Sequence, residues 1–142
     1  MNNIRINDSY KWIVLAISFA MMLCFSLSLQ ALPPLFEAIM KDIPFSNSQA
    51  GILMGVYAIP GIFLPFVVAY LAKRFGIKKL IIVALIVMIV GLVAFTFAGS
   101  FLLLVICRLL AGIGATVLVV LAPLLITMFF DQKSIGIGMG IF

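Results

Sequence analysis

Arg108 is the only charged residue between Leu80 and Phe130, in an otherwise apolar run. Placing an arginine near mid-membrane costs some 2.5–3.5 kcal/mol even on the lenient insertion scale. A cation kept there points to a functional or coupling role; the plainer alternative is that it snorkels to the nearer surface. Gly112, Gly114 and Thr116 follow directly, a small-residue surface suited to close helix packing. Upstream, Ser18, Met22, Ser26 and Gln30 recur at i+4 and form a semi-polar stripe that avoids lipid. Packing and cavity lining explain that stripe equally well, with Gln30 the better cavity candidate. Other chemistries lack their residues. The chain has no histidine, four carboxylates and two cysteines, Cys24 and Cys107, each inside an apolar run. That excludes a zinc set and a CxxC redox pair, and no nucleophile stands beside a base. The glycines at 112–114 and 136–140 follow no strand, so neither group is a phosphate loop. No catalytic residue, metal site or cofactor is expected, and the chain is not read as an enzyme.

The elements that must position these residues follow from composition. Of 142 residues, 66% are hydrophobic and 9% charged, far from the roughly 25% charged of a soluble domain. Too few polar side chains exist to cover a soluble surface, which excludes a soluble enzyme, a disordered tail and a nucleic-acid module. The net charge of +5 does not point to nucleic acid, because the basic residues gather between apolar runs. The chain reads as an all-α membrane protein, a multi-pass helical bundle with the lipid bilayer as its first partner. A spanning helix needs about 20 apolar residues, and the uncharged runs place helices near 12–34, 49–71, 80–98 and 101–130, with the start of a fifth from about residue 134. The break between the third and fourth is Ala98-Gly99-Ser100. The first apolar run is too long for a signal peptide and lacks a clear cleavage site. Arg5, Lys11, Lys73, Arg74, Lys78, Lys79 and Lys133 fall on one side of the membrane and Lys41 on the other. By the positive-inside rule the N-terminus and the 73–79 loop are cytoplasmic, in the plasma membrane.

Local features refine the spans. Pro33-Pro34 ends the first helix, since prolines remove donors and restrict the residue before them. Ser46-x-x-Gln49 reads as a capping box for the second helix. That helix carries Gly51 and Gly55 at GxxxG spacing, expected to pack closely against a neighbour, and Pro60 and Pro65 predict a bend. The third helix is apolar all round, which suits the lipid-facing periphery, and no site residues are expected on it. Residues 134–142 begin another apolar segment but reach only about 14 Å, so the sequence reads as cut off within a helix.

These features together resemble the N-terminal third of a major facilitator superfamily transporter. The stretch Ala69-Tyr-Leu-Ala-Lys73-Arg74-Phe-Gly76-Ile-Lys78-Lys79 is similar to that family's cytoplasmic signature, Gly-x-Leu-Ala-Asp-Arg-x-Gly-Arg-Arg/Lys. Leu71, Arg74, Gly76, Lys78 and Lys79 fit it, and Arg108-Leu-Leu-Ala-Gly112-Ile-Gly114 resembles the fourth-helix signature Arg-x-x-x-Gly-x-Gly. Leu-Pro-Pro followed by Ser-Asn-Ser-Gln-Ala-Gly51 is similar to the usual entry to helix two. The family pattern has Gly and Asp where this chain has Ala69 and Lys73. That aspartate normally contributes to a charge-based gate, so Lys73 implies altered partners. The resemblance implies two six-helix halves built from inverted three-helix repeats. Helices one and four would line the central cavity, with the third outside and a C-terminal remainder completing the transporter. It also implies secondary transport of a small solute by alternating access, in which Arg108 would bind an anionic group or modulate a coupling carboxylate elsewhere, its charge suggesting an anion such as nitrate or cyanate. Gln30 and Ser26 would add hydrogen bonds to the substrate, with Tyr57 a weaker candidate. The alternative is a small four-helix membrane subunit that assembles with or regulates a larger complex.

Overall fold

The computed structural model describes residues 8–129 together with Gly136 and Gly140, with side chains from Trp12 onward. Arg5, Lys133, the side chain of Lys11 and the fifth apolar segment lie outside the described residues. Between Asp8 and Phe129 the described residues form six α-helices: α1 (Asp8–Gln30), α2 (Phe36–Asp42), α3 (Asn47–Ala58), α4 (Pro60–Phe75), α5 (Ile77–Thr96) and α6 (Phe101–Phe129), with a 3-10 turn at Pro33–Leu35 before α2. Four runs are long and apolar enough to cross a bilayer: Trp12–Asp42, Asn47–Phe75, Ile77–Thr96 and Phe101–Phe129. They run alternately up and down, so Pro33-Pro34 and Gly99-Ser100 lie at one end and the Lys73–Lys79 turn at the other.

Each break has a local cause. α1 stops at Gln30, earlier than the sequence suggests, and Pro33 and Pro34 open the 3-10 turn, where their missing N–H groups leave no helical bond unmade. The second span is two helices joined at Ile59: Pro60 has no N–H, so the backbone tightens and Ile59 N–H donates to Val56 O at 3.3 Å. The capping box forms, with Ser46 N–H donating to Gln49 Oε1 at 2.8 Å and Gln49 N–H to Ser46 Oγ at 3.3 Å. Ser100 caps α6, its Oγ accepting from Leu103 N–H at 3.4 Å. Gly76 alone joins α4 to α5 at φ 84° and ψ 144°, a backbone region open to glycine and strained for any other residue.

The core sits around α6. It touches α1, α3, α4 and α5, and its buried residues, from Leu104 and Arg108 through Gly112 and Ala115 to Leu121 and Ile126, cover more than half of the helix surface, leaving a face at Leu102, Ile106 and Leu109 exposed. The other spans bury narrow stripes and present the remainder outward. α5 buries Ala84, Met88 and Gly91 at spacings of four and three, so one stripe faces α6. There a Cβ on Gly91 would lie 2.6 Å from the Ala111 backbone nitrogen, and the two helices meet backbone to backbone.

Candidate functional site

Arg108 lies two turns into α6, about 10 Å from the Ser100 end. It does not snorkel: the residue is 3% exposed. Three elements hold its guanidinium. Nη1 donates to the backbone carbonyl of Ser28 at 2.9 Å. The cation also lies over the Tyr57 ring of α3, 4.8 Å from its centroid, and 5.8 Å from the centroid of Phe95 on α5.

The Ser28 carbonyl is available because α1 ends. The last four carbonyls of a helix lack intrahelical partners. Past Gln30 the chain turns into the 3-10 segment, and among the described residues Leu32 N–H makes no bond back to Ser28. Arg108 takes that acceptor and places a positive charge at the negative end of the α1 dipole. A hydrogen bond from a charged group is worth about 1.5–3 kcal/mol and a cation–π contact about 0.5–2 kcal/mol. Together they are comparable with the roughly 2.5–3.5 kcal/mol insertion penalty. The proline-terminated helix and the two rings therefore make a buried arginine tolerable.

The glycines of the 108–114 stretch set the positions of the neighbours. A Cβ on Gly112 would collide with the carbonyl oxygen of Tyr57, and one on Gly114 would lie 2.7 Å from Met88 N on α5. Two residues along a helix is about 200° of rotation, so Gly112 admits α3 and Gly114 admits α5 on opposite sides of α6. Gly112 is one turn beyond Arg108 and brings the Tyr57 ring onto the guanidinium. Phe25 of α1 adds a tilted ring contact to Tyr57 at 6.0 Å.

Two polar atoms at this point, Arg108 Nε and Nη2, have no hydrogen-bond partner among the described residues. Nε and Nη2 form the side-on edge of the guanidinium, a fork that matches the two oxygens of an oxyanion. Toward the Pro33-Pro34 end, Leu32, Leu53 and Leu104 form a second apolar cluster. Phe45 bridges it, with Phe36 at 6.4 Å and Phe101 at 5.8 Å between ring centroids.

The structure brings Arg108 and Tyr57 together but leaves Ser26 and Gln30 on the exposed side of α1, away from the guanidinium. Ser18 of the same stripe is buried. Ser28 and Phe95 were not singled out by sequence reasoning; Phe95 lies on the span where no site residue is expected, yet its ring comes within 5.8 Å of the Arg108 guanidinium. The signal for Ser28 was the proline pair, which leaves carbonyls of α1 in need of a donor. Gly51 and Gly55 face outward, and a Cβ at either would meet nothing within 4 Å, so the close approach expected there is not made among the described residues. At the opposite end, Leu71 is partly buried, while Lys73, Arg74, Gly76, Lys78 and Lys79 are exposed.

Four membrane-length helices packed together with a buried arginine and two packing glycines define a polytopic helical membrane protein. The chain belongs to the Major Facilitator Superfamily, whose family model matches residues 16–142. It is 34% identical over 76 residues to the probable sulfoacetate transporter SauU of Cupriavidus necator, covering 54% of this chain and 18% of that protein. It is 30% identical over 120 residues to an uncharacterised protein of Campylobacter jejuni, covering 84% of this chain and 37% of that protein. The chain thus spans well under half the length of either relative.

Proposed function

We propose that this chain is the N-terminal part of a secondary transporter that moves a small organic or inorganic anion across the plasma membrane by alternating access. The observation that carries the reading is Arg108, buried in a spanning helix with its side-on edge unpartnered among the described residues. Among the described residues Arg108 makes no ion pair: Glu37 and Asp42 lie in α2, past the Pro33-Pro34 break. The counter-charge is then the transported anion or a group on the C-terminal remainder. Similarity to a probable sulfoacetate transporter favours small sulfonates and carboxylates, with nitrate and cyanate as smaller members of the same charge class. In this function α6 and α1 face the transport path, and rocking of two halves about a midplane site exposes Arg108 to each side in turn. Tyr57 orients the guanidinium, while Ser26 and Gln30, exposed on α1, contribute hydrogen bonds from the open side. The basic turn at Lys73–Lys79 supports a cytoplasmic position for that end and for the N-terminus, with Gly76 and its neighbours shaping the inner gate.

The test is uptake of labelled sulfoacetate, nitrate and cyanate by proteoliposomes holding the full-length protein. Arg108→Ala is expected to abolish uptake with membrane insertion intact. Undiminished uptake by that variant refutes the role given to Arg108, and no uptake of any anion by the wild type refutes the substrate class.

A further inference from the structure

A groove of about 620 Å³ opens at the basic end of the bundle, where α1, the α4–α5 turn, α5 and α6 converge. Val14 and Ile17 of α1, Ile77 and Ile81 of α5 and Leu125 of α6 make its walls apolar, and Lys78 stands in its lining. Lys73, Arg74, Lys78 and Lys79 crowd the adjoining turn, all exposed. Lys73 and Arg74 are in the last turn of α4, where a cation suits the helix dipole. Lys78 and Lys79 are in the first turn of α5, where the same dipole opposes them. Helix stability therefore does not account for Lys78 and Lys79. Nor does pairing: among the described side chains no carboxylate lies at this end, and Lys73, Lys78 and Lys79 make no ion pair. Exposed Trp12 and Tyr70 flank this end of the spans, as aromatic residues do at a membrane–water interface.

We propose that this groove holds one anionic phospholipid, with an acyl chain against Ile17, Ile81 and Leu125 and the phosphate at Lys78. An apolar trough with a cation at its rim, opening at the interface of a membrane-spanning bundle, matches the two parts of such a lipid, and a soluble anion would gain nothing from the trough. The unpaired cations supply the charge complementarity, and the headgroup satisfies the lysines that oppose the α5 dipole.

The test uses the full-length protein in nanodiscs of equimolar phosphatidylglycerol and phosphatidylcholine, with the lipids that remain bound after release counted by native mass spectrometry. One phosphatidylglycerol is expected to be retained in preference to phosphatidylcholine. Loss of one basic residue at a membrane surface is expected to weaken that retention about fivefold in Lys78→Gln, and Lys78→Arg is expected to preserve it. Ile81→Trp, which fills the trough and leaves every charge in place, is expected to remove it. Equal retention of the two lipids by the wild type overturns the proposal. So does an undiminished preference in Ile81→Trp, which would place the lipid on the surface charge alone, or an equal loss in Lys78→Gln and Lys79→Gln, which would make the attraction diffuse.

Discussion

Replacing Gly112 by alanine tests whether one missing methyl group sets the position of Tyr57 on Arg108. An added Cβ would collide with the carbonyl oxygen of Tyr57 and lie 3.1 Å from both its carbonyl carbon and its Cα. These are backbone atoms of α3, so no side-chain rotation relieves the contact and the two helices must separate. Overpacking of this kind costs about 1–3 kcal/mol. Alanine in a helix interior recovers about 1 kcal/mol of the propensity that glycine forfeits. The net expectation for Gly112→Ala is a destabilisation of up to about 2 kcal/mol. Gly55→Ala is the internal control, because a Cβ there meets nothing within 4 Å; it keeps the propensity gain without the collision. The assay is thermal unfolding of the purified full-length protein in detergent, followed by the loss of the monodisperse peak on size exclusion. Gly112→Ala should melt below the wild type and Gly55→Ala at or slightly above it. Separation of α3 from α6 also draws the Tyr57 ring away from the guanidinium 4.8 Å below it, so anion uptake should fall with stability. A Gly112→Ala protein that melts at or above the wild-type temperature would refute the reasoning.

Gly76→Ala forces a residue with a side chain into φ 84°, ψ 144° with no neighbour to clash; the strain alone is expected to cost about 1–3 kcal/mol in the same unfolding assay. Arg108→Lys keeps the charge but loses the planar fork and its stacking on Tyr57 and Phe95. At about 1.5–3 kcal/mol for the charged hydrogen bond, uptake should drop at least tenfold, and near-normal uptake would show that charge alone suffices. Replacing Pro33 and Pro34 together by alanine allows α1 to continue and its own N–H groups to reclaim the Ser28 carbonyl. The variant should lower uptake toward the Arg108→Lys level, and unchanged uptake would mean that this carbonyl does not hold the guanidinium. Gly91→Val drives a side chain into the Ala111 backbone and should destabilise the protein by about 1–3 kcal/mol, read as a lower melting temperature.

Composition and charge placement were enough to make the chain a membrane bundle. Charges at the ends of long apolar runs bracket four spans, prolines and capping residues mark their breaks, and a single buried arginine announces itself by its cost. The spacing Arg108, Gly112, Gly114 was visible too, as was the basic turn about Gly76. Which faces meet was not visible. In a soluble helix the polar side marks the solvent and the apolar side the core. A spanning helix is apolar toward lipid and protein alike, so α5 and the Gly51–Gly55 face of α3 carry no label for what they touch. Only the tertiary structure decided that Gly91 meets Ala111 while Gly51 and Gly55 look outward. Only it separated Gly112 and Gly114 onto opposite neighbours. The acceptor for Arg108 was hidden for a further reason. It is a backbone carbonyl, present at every residue, and what distinguishes the one at Ser28 is the end of α1 and its packing beside α6. A side-chain stripe at i+4 points to Ser26 and Gln30, while Ser28 enters through a backbone bond left unmade at the helix end, which the proline pair creates and no side chain at that position announces.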